Sequence, residues 1–408
     1  MNNSYQEYVD RILKLTKHVS ERWKSRLTGS ESCLESGKYL AEEMSNYCEK
    51  VERQEFEVHP AAFLGYIRIL VALYPIALFA LWQEHFWLLL IIGLFGVLLV
   101  VFEFFIYWEF IDPFFPKKKG MNVMGRIEPT KEVKQQIIIS GHHDSAHIFN
   151  FFVHQPKLYP LRVLGSMLAT FLLGVFGILF FTWDQLGIIP SGLLFGVQIF
   201  FSVLAVFVMQ MWFFYSSQGT PGAGDNLASS ATAMELGRYF RSKKDAGNGL
   251  AHTRLILASW DAEEAGLRGA KAYVKENREQ LRSIPTYNMN IECLYEADKI
   301  FFLSSDINGF VQLSSEMGQE AVDIARKLGY ESDIKPIVFA AGGTDAAEFA
   351  RAGIEATTLF GMGWTIDTKP DAYHTLKDTV DAVDPEAVRK AFDIIANYVE
   401  HKDKSVKA

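Results

Sequence analysis

The stretch QIIISGHHDS, residues 136–145, decides how this chain is to be read. Residues 136–140 form a short run rich in β-branched residues, the pattern of a strand buried on both faces. The run stops at glycine and is followed at once by two imidazoles and a carboxylate. In α/β sheets, sites form outside the carboxyl ends of strands, which is where His142 and Asp144 fall.

The same arrangement recurs downstream. LILAS (255–259) is a second buried strand, followed by Trp260-Asp261-Ala262-Glu263-Glu264-Ala265-Gly266. Glu292 follows a short strand at 288–291, and Tyr373-His374-Thr375 follows the last one at 356–360. Asp225 lies in Gly224-Asp225-Asn226, at the entry to an amphipathic helix over 226–241. Further strands are expected at 51–58, 121–127 and 300–303, and helices from about Leu267 and over 308–328, 346–352 and 385–401. Strands alternating with helices imply an α/β fold with a mostly parallel central sheet and helices on both faces.

Two regions break this pattern. Residues 61–82 and 86–108 are almost wholly apolar, interrupted by Gln83, Glu84 and His85. Residues 161–183 and 188–214 repeat this, with Asp184 and Gln185 at the turn. Each run reaches the roughly 20 apolar residues that a helix needs to cross a hydrocarbon core. Tryptophans 82, 87, 108, 183 and 212 sit near the ends, as interfacial anchors do. The expected organisation is a discontinuous soluble domain (1–60, 111–159, 215–408) interrupted by transmembrane hairpins at 61–110 and 160–214. The far-side turns hold no lysine or arginine, whereas Lys117, Lys118, Lys119, Lys157 and Arg162 flank the near side. The positive-inside rule therefore puts the soluble mass and both termini in the cytoplasm. Arg68 and Glu103 lie near segment ends, where snorkelling explains them.

Composition narrows the function. The 408 residues carry a net charge of −8 and neither a basic tail nor an arginine-rich run, which gives nucleic acid no footprint. Cys33, Cys48 and Cys293 are few and widely spaced, as reduced thiols are. The N-terminal 23 residues are polar and charged, unlike a signal peptide.

Each candidate residue has a plain structural reading when taken alone. His-x-Asp is often a hydrogen-bonded pair, paired glutamates suit a helix start, and Gly-Asp-Asn is a common turn. Together, two imidazoles and three carboxylates at strand ends suit a divalent metal such as zinc. There is no His-Glu-x-x-His, which excludes a single-helix zinc site.

The order and wording of these motifs resemble the co-catalytic zinc aminopeptidase family, which contains bacterial leucine aminopeptidases and glutamate carboxypeptidases. Arg26-Leu27-Thr28-Gly29-Ser30 matches its "R-x-x-G-S", and the resemblance continues to Thr379. His142 and Asp144 match "GxHxDS", Asp225 matches the bridging aspartate of "GAxDNxSG", and residues 261–270 match "DxEExGLxGS". The resemblance implies two Zn2+ ions. One is held by His142, Asp225 and Glu292, the other by Asp225, Glu264 and His374. Glu263 is then the general base, Asp144 orients His142, and Tyr373 donates to the developing oxyanion. The implied activity is removal of N-terminal residues from peptides. Separately, the second hairpin leaves the chain between two of the implied ligands, which predicts a site facing the bilayer surface and hydrophobic or membrane-derived peptides as substrates. A single-zinc glutaminyl cyclase and a catalytically silent receptor or scaffold are the alternatives.

Three departures stand out. Ser230 replaces the usual glycine. Where the family has aspartate in "NLDMIG", this chain reads Asn290-Ile291-Glu292-Cys293, so that Asn290 is the register alternative to Glu292. A whole hairpin also separates His142 from Asp225.

Overall fold

The computed structural model describes residues 5–363 and 368–406. They divide into two compact units, one of residues 5–60, 117–148, 217–363 and 368–406, the other of residues 61–116 and 149–216.

The chain opens with α1 (Gln6–Arg22), α2 (Glu31–Ser45) and β1 (Lys50–Val58), then enters the apolar unit through α3 (Ala62–Trp82) and α4 (Phe86–Leu99). It returns for β2 (Lys118–Ile127), β3 (Gln135–His142) and β4 (His147–Phe149). A second excursion comprises α5 (Asn150–Val153), α6 (Tyr159–Leu186) and α7 (Ser191–Gln210), and leads to β5 (Tyr215–Gly219). After this come α8 (Ala228–Asp245), β6 (Thr253–Trp260), α9 (Arg268–Ser283), β7 (Thr286–Glu292), β8 (Ile300–Asp306) and β9 (Val311–Gln312). The last elements are α10 (Ser315–Lys327), β10 (Ile334–Pro336), α11 (Ala346–Arg351), β11 (Glu355–Gly361) and α12 (Pro385–Ser405).

The main sheet has the order β1-β2-β6-β3-β7-β11-β8-β10, with β9 on β8. Strands β6, β3, β7 and β11 are mutually parallel, and their carboxyl ends share one edge. The sheet as a whole is mixed, which corrects the expectation of a mostly parallel one. Strands β1 and β2 pair antiparallel, as do β2 with β6, and β11 with β8. For β8 the reason lies in the connection. Only residues 293–299 join β7 to β8, too few for the crossover of a dozen or more residues that a parallel return requires.

Alternate residues of β3 serve opposite faces. Ile137 and Ile139 pack with residues of α1, α2, α8, α10 and α12. Ile138 packs with α9 and α11. A strand so enclosed has no solvent face, which is why residues 136–140 read as an unbroken apolar run.

Four helices, Ala62–Trp82, Phe86–Phe105, Pro156–Leu186 and Ser191–Phe213, are long and apolar enough to cross a membrane by length and composition. The apolar unit also takes residues 111–116, 149–159 and 215–216, which the sequence assigned to the soluble part. Phe115, Phe149, Phe151 and Tyr159 pack into its core, so these flanks go with their aromatic side chains. The helix expected over 308–328 starts only at Ser315, where the Ser314 hydroxyl caps the N–H of Met317 at 3.2 Å. Upstream of it, residues 307–309 form a 3-10 turn and 311–312 the short strand β9.

Candidate metal centre

Three parallel strands deliver the first side chains. His142 ends β3, Glu292 ends β7, and Glu263 and Glu264 lie in the turn after β6. Asp225 comes from the kinked entry to α8 and His374 from the loop after β11. The separate sequence segments meet at one place.

Asp225 stands at its middle. Its Oδ1 is 3.4 Å from His142 Nε2, and its Oδ2 is 3.1 Å from His374 Nε2. Glu292 Oε2 lies 3.8 Å and Glu263 Oε2 3.6 Å from His142 Nε2. On the other side, Glu264 Oε1 lies 3.6 Å from His374 Nε2. The arrangement is thus two imidazole–carboxylate groups sharing one aspartate.

Hydrogen bonds hold each part in place. His142 Nδ1 is 3.2 Å from Asp144 Oδ1, an imidazole backed by a carboxylate. The oxygens of Asp144 also accept the backbone N–H groups of Glu263 and Glu264 and the Thr28 hydroxyl. Asn226 grips both sides of Glu292, donating to Ile291 O at 2.8 Å and accepting from Cys293 N at 3.2 Å.

The Asn290 amide is engaged on both sides. Its Oδ1 accepts from Ser140 Oγ at 2.9 Å, and its Nδ2 donates to Glu292 Oε1 at 2.9 Å. It supports Glu292, while Glu292 Oε2 faces His142. The departure at Ser230 also has a local explanation. Its Oγ pairs with Ser259 Oγ at 2.7 Å, and a Cβ on Gly141 would come within 2.8 Å of the Ser230 nitrogen. The close approach of α8 to β3 rests on Gly141.

The electrostatics follow from burial and crowding. Burial first, and neighbouring carboxylates second, push Glu264 and Glu292 well above the ordinary carboxylate range. Glu263 is raised too, by burial and by Glu264 and Glu292, against the pull of His142. Burial would raise Asp225 as well, but its contacts with His142 and His374 hold it below the usual range. Burial disfavours a charged His142, yet Glu263, Asp144, Asp225 and Glu292 together raise its pKa well above that of a free imidazole. His374 is lowered by burial.

Zinc fits these residues. His142 Nε2, Asp225 Oδ2 and Glu264 Oε1 are buried and make no conventional hydrogen bond among the described residues. Ligand atoms of His142, Asp225 and Glu264 lie within 4.8 Å of one another, as do those of His142, Glu263 and Glu292. Nitrogen and carboxylate donors of this kind suit zinc, whose charge would relieve the crowded carboxylates.

Tyr373 stacks on the His374 ring, with centroids 4.0 Å apart and planes 19° apart. Its hydroxyl is pushed up by burial and by the Asp225 carboxylate.

Several supporting residues had no role in the sequence reading. Arg26, wholly buried, donates to the carbonyls of His143, Pro221, Gly222 and Trp23. Asp378, four residues after His374, accepts from Gly224 N at 2.7 Å and Asp225 N at 3.3 Å. Burial and the Asp225 charge raise its pKa to about 7. Asp345 is buried, neither of its carboxylate oxygens has a hydrogen-bond partner among the described residues, and its charge acts on Glu263 and Glu292. Arg26 carried a signal in RLTGS; Asp345 carried none.

The model of peptidase family M28 matches residues 208–399. The M28 match takes in Asp225, Glu263, Glu264, Glu292 and His374. His142 lies before it, on the far side of an apolar helix pair. Aminopeptidase YwaD of Bacillus subtilis (strain 168) is 24% identical over 199 residues, 46% of this chain and 40% of that protein. A probable glutamate carboxypeptidase, LAMP1 of Arabidopsis thaliana, is 31% identical over 169 residues, 39% of this chain and 24% of that protein. The chain therefore spans less than half the length of these two curated relatives. Among solved structures, a glutaminyl cyclase of Bacteroides thetaiotaomicron bound to N-acetylhistamine superposes with a TM-score of 0.57 at 12% identity. That alignment covers 96% of this chain and 97% of the cyclase, a likeness of fold.

Proposed function

We propose that this protein is a membrane-anchored zinc aminopeptidase that hydrolyses N-terminal residues from peptides at a two-metal centre. One observation carries the reading: the two oxygens of Asp225 face His142 and His374, with Glu292 and Glu264 on their respective sides. In this reading His142, Asp225 and Glu292 would hold one zinc, and Asp225, Glu264 and His374 would hold the other. Bound zinc would supply Lewis acidity and an acidified water. Glu263, not needed as a ligand, takes the proton of the attacking water and passes it to the leaving amine. Asp144 keeps His142 oriented through Nδ1. Tyr373, fixed against His374, donates to the oxyanion. The carboxylates around the centre favour a substrate with a free α-ammonium group. The four apolar helices anchor the enzyme in the bilayer, with the catalytic unit and both termini in the cytoplasm, and the substrates are hydrophobic or membrane-derived peptides.

The fold likeness to a glutaminyl cyclase supports a second reading, a single-zinc cyclase. A peptide-library digest by the purified protein, read by mass spectrometry with and without chelator, separates the two. An aminopeptidase shortens peptides by N-terminal residues and loses that activity to chelator. Cyclisation of N-terminal glutamine without shortening would establish the cyclase instead. Impermeant thiol labelling of cysteines placed at Glu84 and Gln185 tests the orientation: both should be reached only from the non-cytoplasmic side.

A further inference from the structure

A second convergence of metal-binding side chains lies among residues that the proposed reaction does not use. Cys33 sits in the first turn of α2, His143 follows β3, and Asp261 follows β6; all three are fully buried. One ligand atom from each lies within 4.8 Å of the other two. Cys33 Sγ is 3.3 Å from Asp261 Oδ1, while Asp261 Oδ2 accepts from Met121 N at 2.9 Å.

His143 supplies the independent observation. Its Nδ1 is fixed by Ser259 Oγ at 2.9 Å, but its buried Nε2 makes no hydrogen bond among the described residues. That nitrogen faces the side of α2 that carries Cys33. Gly37 lies four residues after Cys33, on the same helix face, and a Cβ there would come within 3.1 Å of His143 Nε2. Glycine at 37 leaves room for the imidazole edge and for the Met121 methyl, which a Cβ would meet at 2.9 Å.

One sulfur, one imidazole nitrogen and one carboxylate oxygen make a ligand set for zinc. We propose that Cys33, His143 and Asp261 form a further, structural zinc site that ties α2 to the ends of β3 and β6. It shares no ligand with the proposed catalytic centre. On binding, the Cys33 thiol gives its proton to solvent and ligates as thiolate, while His143 ligates through Nε2 as the neutral ring. Three protein donors leave a fourth zinc position, which a water would fill; because all three ligands are fully buried, that position is closed to substrate.

The test uses the purified full-length chain, loaded with zinc and dialysed, and then reloaded with cobalt. The wild-type protein should retain three equivalents of metal, and its cobalt form should show thiolate-to-cobalt charge-transfer absorption. Cys33→Ser should lose one equivalent and that absorption, and His143→Gln should lose one equivalent. Cys293→Ser controls for the thiol beside Asp225 and Glu292 and should leave the absorption intact, as should His374→Ala. Two equivalents without the absorption would overturn this site while leaving the two-metal reading standing. So would absorption that survives Cys33→Ser and vanishes in Cys293→Ser. Should Cys33→Ser fail to fold, an unchanged metal count in His143→Gln overturns the site by itself. A single retained, thiolate-bound equivalent would instead sustain this site and sink the two-metal reading.

Discussion

The Asp144 carboxylate accepts the backbone N–H of Glu264 at 3.1 Å. The residue that backs His142 therefore also fixes the turn on which Glu263 and Glu264 stand, since it takes the Glu263 N–H at 3.2 Å as well. An amide at 144 keeps the shape but turns an NH2 group towards a donor that the carboxylate satisfied. Asp144→Asn should weaken zinc binding about 10- to 100-fold, the usual effect of losing a group that orients a ligand. Competition against a chromophoric chelator measures it, and wild-type affinity in the variant would exclude this role.

Glu263 and Glu264 are neighbours with different assignments. Glu263→Gln should lower kcat by about 10²- to 10⁴-fold, the range for losing a general base, with the metal content unchanged. Glu264→Gln should lose activity together with metal on the His374 side. Metal analysis beside peptide hydrolysis separates them; equal metal loss in both variants would assign both as ligands.

The sequence conveyed the parallel strands and the residues at their ends because those signals are local. A strand enclosed on both faces reads as an apolar run, and Gly141-His142-His143-Asp144 follows it directly. The antiparallel placement of β8 was hidden because strand direction depends on how much chain is free to cross over. Asn290 and Glu292 could not be separated by pattern, since the choice depends on what each faces; Ser140 and His142 face them from another strand. Asp345 acts across space on groups more than fifty residues away, and no spacing in the chain records that.

Arg26 offers a test of the supporting frame. It donates to the carbonyls of His143 at 2.7 Å and of Pro221 and Gly222 at 2.8 Å each, joining the segment after His142 to the one before Asp225. Lysine cannot reproduce a planar fork with separate donors. Arg26→Lys should cost on the order of 3 kcal/mol, from two or more buried carbonyls left unpaired at about 1–3 kcal/mol each. Urea unfolding of the wild type and the variant measures this. A difference below about 0.5 kcal/mol, the range of ordinary surface substitutions, would remove Arg26 from the frame.

Removing the metal should make stability depend on pH in a definite direction. In the metal-free protein, burial and nearby carboxylates raise Glu264 and Glu292 above their unfolded values. The folded state then binds protons more tightly, so the stability these groups contribute is complete below the ordinary carboxylate range. It is lost as pH rises through their raised values. His142, also raised, adds a loss above the ordinary imidazole value. Asp225 has the opposite sign, but its contribution is already complete above the usual carboxylate range and changes little from pH 5 to 8. Zinc competes with the same protons, and its binding releases them. The gap in Tm between the zinc-loaded and chelated protein should therefore widen from about pH 5 to about pH 8, and calorimetry in buffers of different ionisation enthalpy should detect the released protons. A gap that is flat across this range, with no proton release, would mean that these carboxylates and His142 are not where zinc binds.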